Sequence, residues 1–438
     1  MPNFQLKKTA GFFLAAALCI PGVFSGGSRD IEPAWYVRAN GSDTNTGLSS
    51  RSPFKTLARA LEAAKTSDTL LILVMEELTD RSEENSRDRE SVFHIAETGN
   101  RAITIRGASD KARLSAARTN KRVLRIARDA EIRLENIEIT GGQSVIGGGI
   151  LAEQNAVLTV AAGTRIRENQ AETGGGIAFT GHGILILEDG DISENRATAG
   201  GGIFFSSLVD GGVSGRFLMT GGRVANNKAE ELGGGIMLAD SPTDPAGEFR
   251  LNGGTISGNT ASGGGGVLFF CRDKTATRLA ISETKIMSNT AVYGGGILLN
   301  NGSFVITGGL IWNNHADAEG GGISYDSGAV SELNGGVILN NRSDGMGGGM
   351  VVKQGTVTLS GGFIGGSSAK RGGGVDILYN AVFTCQGGQI AGSESVETPN
   401  RADGMGDAAF KENGTLHLRN TAVPETEMFS SVNFAGWN

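Results

Sequence analysis

The stretch FVITGGLIWNNHADAEGGGISYD, residues 304–326, carries the pattern of most of the chain: an alternating apolar segment, a Gly-Gly turn, an Ile-x-x-Asn frame and a Gly-Gly-Gly-Ile. Working outward, Gly-Gly-Gly followed by Ile, Val or Met recurs, ending at Ile150, Ile177, Ile203, Ile236, Val267, Ile297, Ile323, Met350 and Val375. Successive copies lie 25 to 33 residues apart. An Asn stands five or six positions before most triplets, at Asn169, Asn195, Asn227, Asn259, Asn289, Asn314 and Asn341, and Ser367 takes that place in the last copy. The chain has 70 Gly in 438 residues, which would also suit a low-complexity chain, but a fixed period of this length marks a stacked repeat.

Each repeat offers three short strands separated by turns containing Gly or Asn, the residues that tolerate positive φ. No segment of the repeat shows apolar spacing of 3.6, which excludes leucine-rich and helical solenoids. The expected fold is all-β: a right-handed parallel β-helix with three strands per coil, nine regular coils and irregular terminal ones. Two positions after each triplet's Ile stand Phe179, Phe205, Leu238, Phe269, Leu299, Tyr325, Val352 and Ile377, expected to point inward as stacked columns. Each fully buried member contributes about 1.5–3 kcal/mol, so the coils cohere and none folds alone. Proline supports this, because between Phe54 and Val396 it occurs only at Pro242 and Pro245, which mark a loop.

The ends read differently. Lys7 and Lys8 precede an apolar run, Gly11 to Ile20, that is too short to span a bilayer and reads as a secretory signal cleaved after Ser25. Lipidation at Cys19 is the alternative. The mature chain, 37 basic against 46 acidic residues, gives no reason to expect nucleic-acid binding, and no later stretch is apolar enough for a transmembrane segment. The expected domains are a signal peptide (1–25), an N-terminal cap with irregular coils (26–130), the glycine-rich repeat (131–395), and a last coil with C-terminal cap (396–438). In the cap, Ser52 is expected to cap a short helix with Pro53 at its first position and Phe54, Leu57 and Leu61 on one face. Residues 79–91 read as a charged loop, and Phe429, Phe434 and Trp437 as the closing edge. Cys271 and Cys385 lie about four coils apart, about 19 Å at the spacing of stacked strands, so no disulfide is expected.

The stretch WYVRANGSDTNTGLSSRSPFKTLARALEAA, 35–64, resembles the opening of exported pectate-lyase-like β-helix proteins. From 140 to about 395 the triplets and Ile-x-x-Asn frames resemble the repeats of polymorphic outer-membrane proteins. The resemblance implies export and a cell-surface or outer-membrane association. The outer-membrane barrel with which those proteins usually end does not fit after residue 395.

The Asn series matches an internal ladder in which each amide bonds to the next, a structural rather than a metal-binding role. The four histidines show no ligand spacing, so no metal and no cofactor is expected. The coils starting at Ile203, Ile236 and Val267 are the longest, and their extra residues follow the same strand, so their loops are expected on one edge. Asp210, Asp240, Asp244, Arg272, Asp273 and Lys274 are the ligand candidates there. A lyase would use such acids, with calcium, and Lys274 as base beside Asp240 and Asp244. On the neighbouring sheet, Asn300, Asn301, Asp326 and Lys353 form a second candidate, suited to sugar hydroxyls, in which Asp326 and Lys353 are expected as an exposed ion pair. Phe204, Met237, Leu268, Leu298 and Val351 are expected to face outward as an apolar stripe, either covered or used for homotypic packing. Arg101 to Arg133 carries ten basic residues against three acids and reads first as a solvated face, second as a polyanion site.

The expected function is a non-catalytic, exported binding module for glycans or cell-surface proteins. The alternatives are a polysaccharide lyase or hydrolase using residues 206–277, and a passive surface scaffold.

Overall fold

Three local rules, repeated, build the molecule: glycine at one corner of each coil, asparagine at the next, and apolar side chains pointing in between. The computed structural model describes residues 32–79, 90–99, 101–117, 119–207, 215–240, 247–271, 278–328, 330–392, 398–412 and 415–418, with the short strands Thr421–Ala422 and Val432–Asn433. The expected signal segment, Cys19, the two prolines, most of the charged loop, and Phe429, Phe434 and Trp437 lie outside the described residues.

Residues 34–438 form one unit, a parallel β-solenoid consistent with the right-handed crossovers that parallel strands favour. The strand after each triplet belongs to a 12-stranded sheet, the triplet sheet, from Ser91–Ile95 to Ala409–Glu412. A 26-stranded sheet forms the second face. It takes two segments from a typical coil, such as Ile184–Leu187 and Asp191–Ser193, bent at a glycine corner. Val330–Leu339 and Thr356–Gly365 run through that corner unbroken, so the face is one sheet with a crease. The third face consists of four strands from Gln143–Ile146 to Lys228–Leu232 and five from Thr290–Tyr293 to Arg401–Met405, joined by bridges at Thr260 and Gly263.

The expected inward column is buried throughout: Phe179, Phe205, Leu238, Phe269 and Tyr325 are among residues at most 1% exposed. Phe179 stacks on Phe205 at 4.9 Å between centroids, and Phe249 packs against Phe269 at 5.6 Å. Cys271 and Cys385 are buried free thiols, and burial pushes the Cys385 thiol up to about 12.

The triplet's three glycines do different work. The first adopts positive φ, +64° at Gly233, to turn the third face into the triplet sheet. The others leave no room for a side chain: a Cβ on Gly235 would sit 2.6 Å from the Gly266 carbonyl oxygen and 2.9 Å from Asn259 Nδ2 in the next coil. At the last coil, where the sequence reads Gly406, Asp407, Ala408, only the first glycine persists. There the Asp407 carboxylate accepts a hydrogen bond from the Ala402 N–H at 2.7 Å.

The asparagines form a continuous ladder. Each Nδ2 donates to the next Oδ1, from Asn169 to Asn195 at 3.0 Å through Asn314 to Asn341 at 3.0 Å. Each Nδ2 also donates to a carbonyl of the coil before, as Asn259 does to Val224 at 3.0 Å. Ser367 continues the series by accepting from the Asn341 N–H, and the Ser367 N–H donates to Asn400 Oδ1 at 2.8 Å.

The cap helix differs from the expectation. It spans Leu57–Lys65, and Thr56, not Ser52, is its N-cap, accepting from the Arg59 N–H. Phe54 is held extended beside Val37, and Asp43 gathers the Lys55 and Thr56 N–H groups and the Thr56 hydroxyl. That anchors the chain four residues later than the Ser-Pro signal suggests.

Candidate functional site

In the three longest coils the extra residues are inserted between the same two strands, and most of them lie outside the described residues. Their triplet-sheet strands end at Ser206, Asp240 and Cys271 and the following strands begin at Arg216, Glu248 and Arg278, with Asp240 paired to Cys271 in register. Asp210, Asp244, Arg272, Asp273 and Lys274 lie outside the described residues. Asp240 is 0% exposed and accepts a hydrogen bond from the Ser207 hydroxyl, so it belongs to the interior of the stack rather than to a surface cluster.

The second candidate is only partly assembled. Asn300 is exposed, while Asn301 sits in a turn at φ +59°, its Oδ1 taking the Ser327 hydroxyl at 2.6 Å. Asp326 and Lys353 do meet, at 3.0 Å, but not as an exposed pair: Lys353 also pairs with Glu319 and lies 5.6 Å from the Tyr293 ring centroid. Burial acts to lower the Lys353 pKa, but Glu319 and Asp326 more than offset it and hold the ammonium above the ordinary lysine value. Lys353 is therefore a cation at neutral pH, not a base.

The apolar stripe requires a correction. Leu268, Leu298 and Val351 are 4%, 6% and 0% exposed, and Phe204 and Met237 are half-buried. They line a concave corner between the triplet sheet and the third face, where Leu298 and Leu232 flank Gly263. Farther along, pairs from Lys353 to Glu319 and from Arg371 to Glu412 span the same corner. Beneath Arg371 lies Asp376, 0% exposed, with Oδ2 on Arg371 Nε at 2.8 Å and Oδ1 without a hydrogen bond.

The basic stretch is largely neutralised by acids from other parts of the stack. Arg106 pairs with Glu135, Arg122 with Glu90, Arg125 with Glu153, and Arg133 with both Glu135 and Glu188. Glu138 gathers Arg113, Arg165 and Arg167. This matches a solvated, ion-paired face rather than a row of free cations.

A groove that sequence reasoning missed lies on the third face. Gln143, Gln170, Arg196, Lys228 and Thr260 follow one another in register, one per coil, and all are exposed. One trough of about 710 Å³ runs between this ridge and a row that includes Glu172, Thr198 and Glu230. A second, of about 600 Å³, runs on the other side, against Glu168, Glu194 and Asn226. Those corner residues have φ of +56°, +60° and +54°, the bend that carries the chain into the third face. Among the described residues, the side chains of Arg196 and Lys228 have no hydrogen bond or ion pair, although they stand side by side. Polar residues after each ladder Asn read as solvated surface in a sequence, because the concavity arises only when corners stack.

The class defined by this geometry is the parallel β-solenoid. No family model, no curated protein and no solved structure matches the chain.

Proposed function

We propose that this is an exported, surface-associated β-helix that binds an extended glycan non-catalytically along the third face. The observation that carries the reading is the unpaired Arg196 and Lys228 on a ridge of amides and hydroxyls between two open troughs. Like charges in register cost stability unless a ligand shares them. A ridge offering a donor or acceptor about every 4.8 Å suits a linear polymer whose hydroxyls and acidic groups also repeat. Affinity then comes from many weak subsites engaged together rather than from one enclosed pocket. The likeness of the repeats to surface-displayed β-helix proteins agrees with an exterior location.

A binding role is preferred to turnover because, of the residues a lyase would use, Asp240 is the one among the described residues, and it is buried in the stack. The test is retention of the protein on a panel of acidic and neutral polysaccharides. Replacing Arg196 and Lys228 together by Ala is expected to weaken binding at least about tenfold, since hydrogen bonds to charged groups contribute about 1.5–3 kcal/mol each. The ligand-free thermal midpoint should hold or rise slightly, because the like-charge contact is removed as well. A double variant that is retained like the parent removes the groove as the site.

A further inference from the structure

We infer that His315, Asp317 and Asp344, farther along the third face, form a binding site for a late first-row divalent cation such as zinc. The site does not depend on the glycan reading. His315 and Asp317 are two apart on one strand and so project from the same side. The next coil pairs in register, His315 with Arg342 and Ala316 with Ser343, which places Asp344 beside Asp317. The ligand atoms, one from each residue, lie within 4.8 Å of one another. His315 Nε2 is 3.3 Å from Asp344 Oδ2 and 4.0 Å from Asp317 Oδ1. Small side-chain rotations bring all three onto one ion at bonds of about 2.0–2.2 Å.

Three further features fit a cation. Asp317, on its strand, and Asp344, just past the end of the paired strand, are neighbouring carboxylates, a repulsive arrangement that a divalent ion neutralises. His315 Nε2 is shielded from solvent, faces both carboxylates and makes no hydrogen bond of its own. Arg342 donates through Nε and Nη2 to Asp344 Oδ1 at 2.9 and 2.7 Å, which fixes the carboxylate from behind and leaves Oδ2 turned to the imidazole. One imidazole nitrogen with two carboxylates selects against calcium and magnesium, which take oxygen, and favours zinc and its neighbours. Three protein ligands on an open face leave a position for water or for an acidic group of a bound molecule.

Titration calorimetry of the full chain with zinc chloride, beside calcium and magnesium chloride, tests the site. The expected result is a single saturable zinc equivalent of micromolar affinity, weakened at least tenfold in both His315→Ala and the milder Asp317→Asn, each with the parent's metal-free thermal midpoint. Zinc uptake unchanged in both variants would place the ion elsewhere and overturn the proposal. So would the absence of saturable uptake, which leaves His315 as an ion-pair partner only, or calcium binding as tightly as zinc.

Discussion

At the scale of a single residue, Asp376 is a buried carboxylate with one oxygen left without a hydrogen bond. Burial pushes its carboxyl up to about 6, against the pull of Arg371, with Glu412 and Glu319 adding to the rise. The folded chain thus holds the Asp376 proton more tightly than the unfolded chain does. Its contribution to stability is full below the ordinary carboxylate pKa of about 3.9 and is lost as pH rises through about 6. Asp376→Asn is therefore expected to be more stable than the parent at pH 8, by at most about 3 kcal/mol for a pKa difference of roughly 2. The variant should also lose most of the change in urea midpoint between about pH 4 and about pH 6. Equal stability at pH 8 would mean that Arg371 compensates fully. The sequence sets Asp376 apart as the one charged residue directly after a triplet's Ile, Val or Met, but its neighbours in register, Val351 and Phe410, give no hint that this place lies under a bridging arginine. The ladder asparagines were legible for the opposite reason: one residue type recurs at one place in the frame. Asn400 escaped because no glycine triplet follows it.

At the scale of the repeated element, the ladder makes a graded prediction. Asn259 accepts from both the N–H and the side-chain amide of Asn227, and donates to Val224 and Asn289. Asn259→Ala strands several buried groups, at about 1–3 kcal/mol each, so a loss of about 3 kcal/mol or more is expected in urea denaturation. Asn259→Ser keeps an acceptor, as Ser367 does, and should lose clearly less. Equal losses would remove the ladder as the cause. Strands and turns at this scale were readable from the glycine and apolar frame. The helix start was not, because Asp43, twelve residues upstream of Lys55, decides where the chain is pinned.

At the scale of the whole molecule, each coil touches chiefly its two neighbours, so stability should follow the number of coils while register is kept. Deleting residues 297–322 joins Gly296 to Ile323, which replaces Ile297 in register, and is expected to leave a cooperatively folding β-protein with a lower thermal midpoint. Deleting only 297–309 breaks the frame and should abolish the cooperative transition. Circular dichroism on heating distinguishes the two. The solenoid was legible from periodicity alone; the third-face groove and the His315 cluster were not. Both are made by residues about one coil apart in sequence, whose proximity exists only once the stack does. The Asp407 and Ala408 pair shows the same logic at the far end. A Cβ at the third triplet position marks both ends of the glycine array, at Val123 in the coil before its first copy and at Ala408 in the coil after its last.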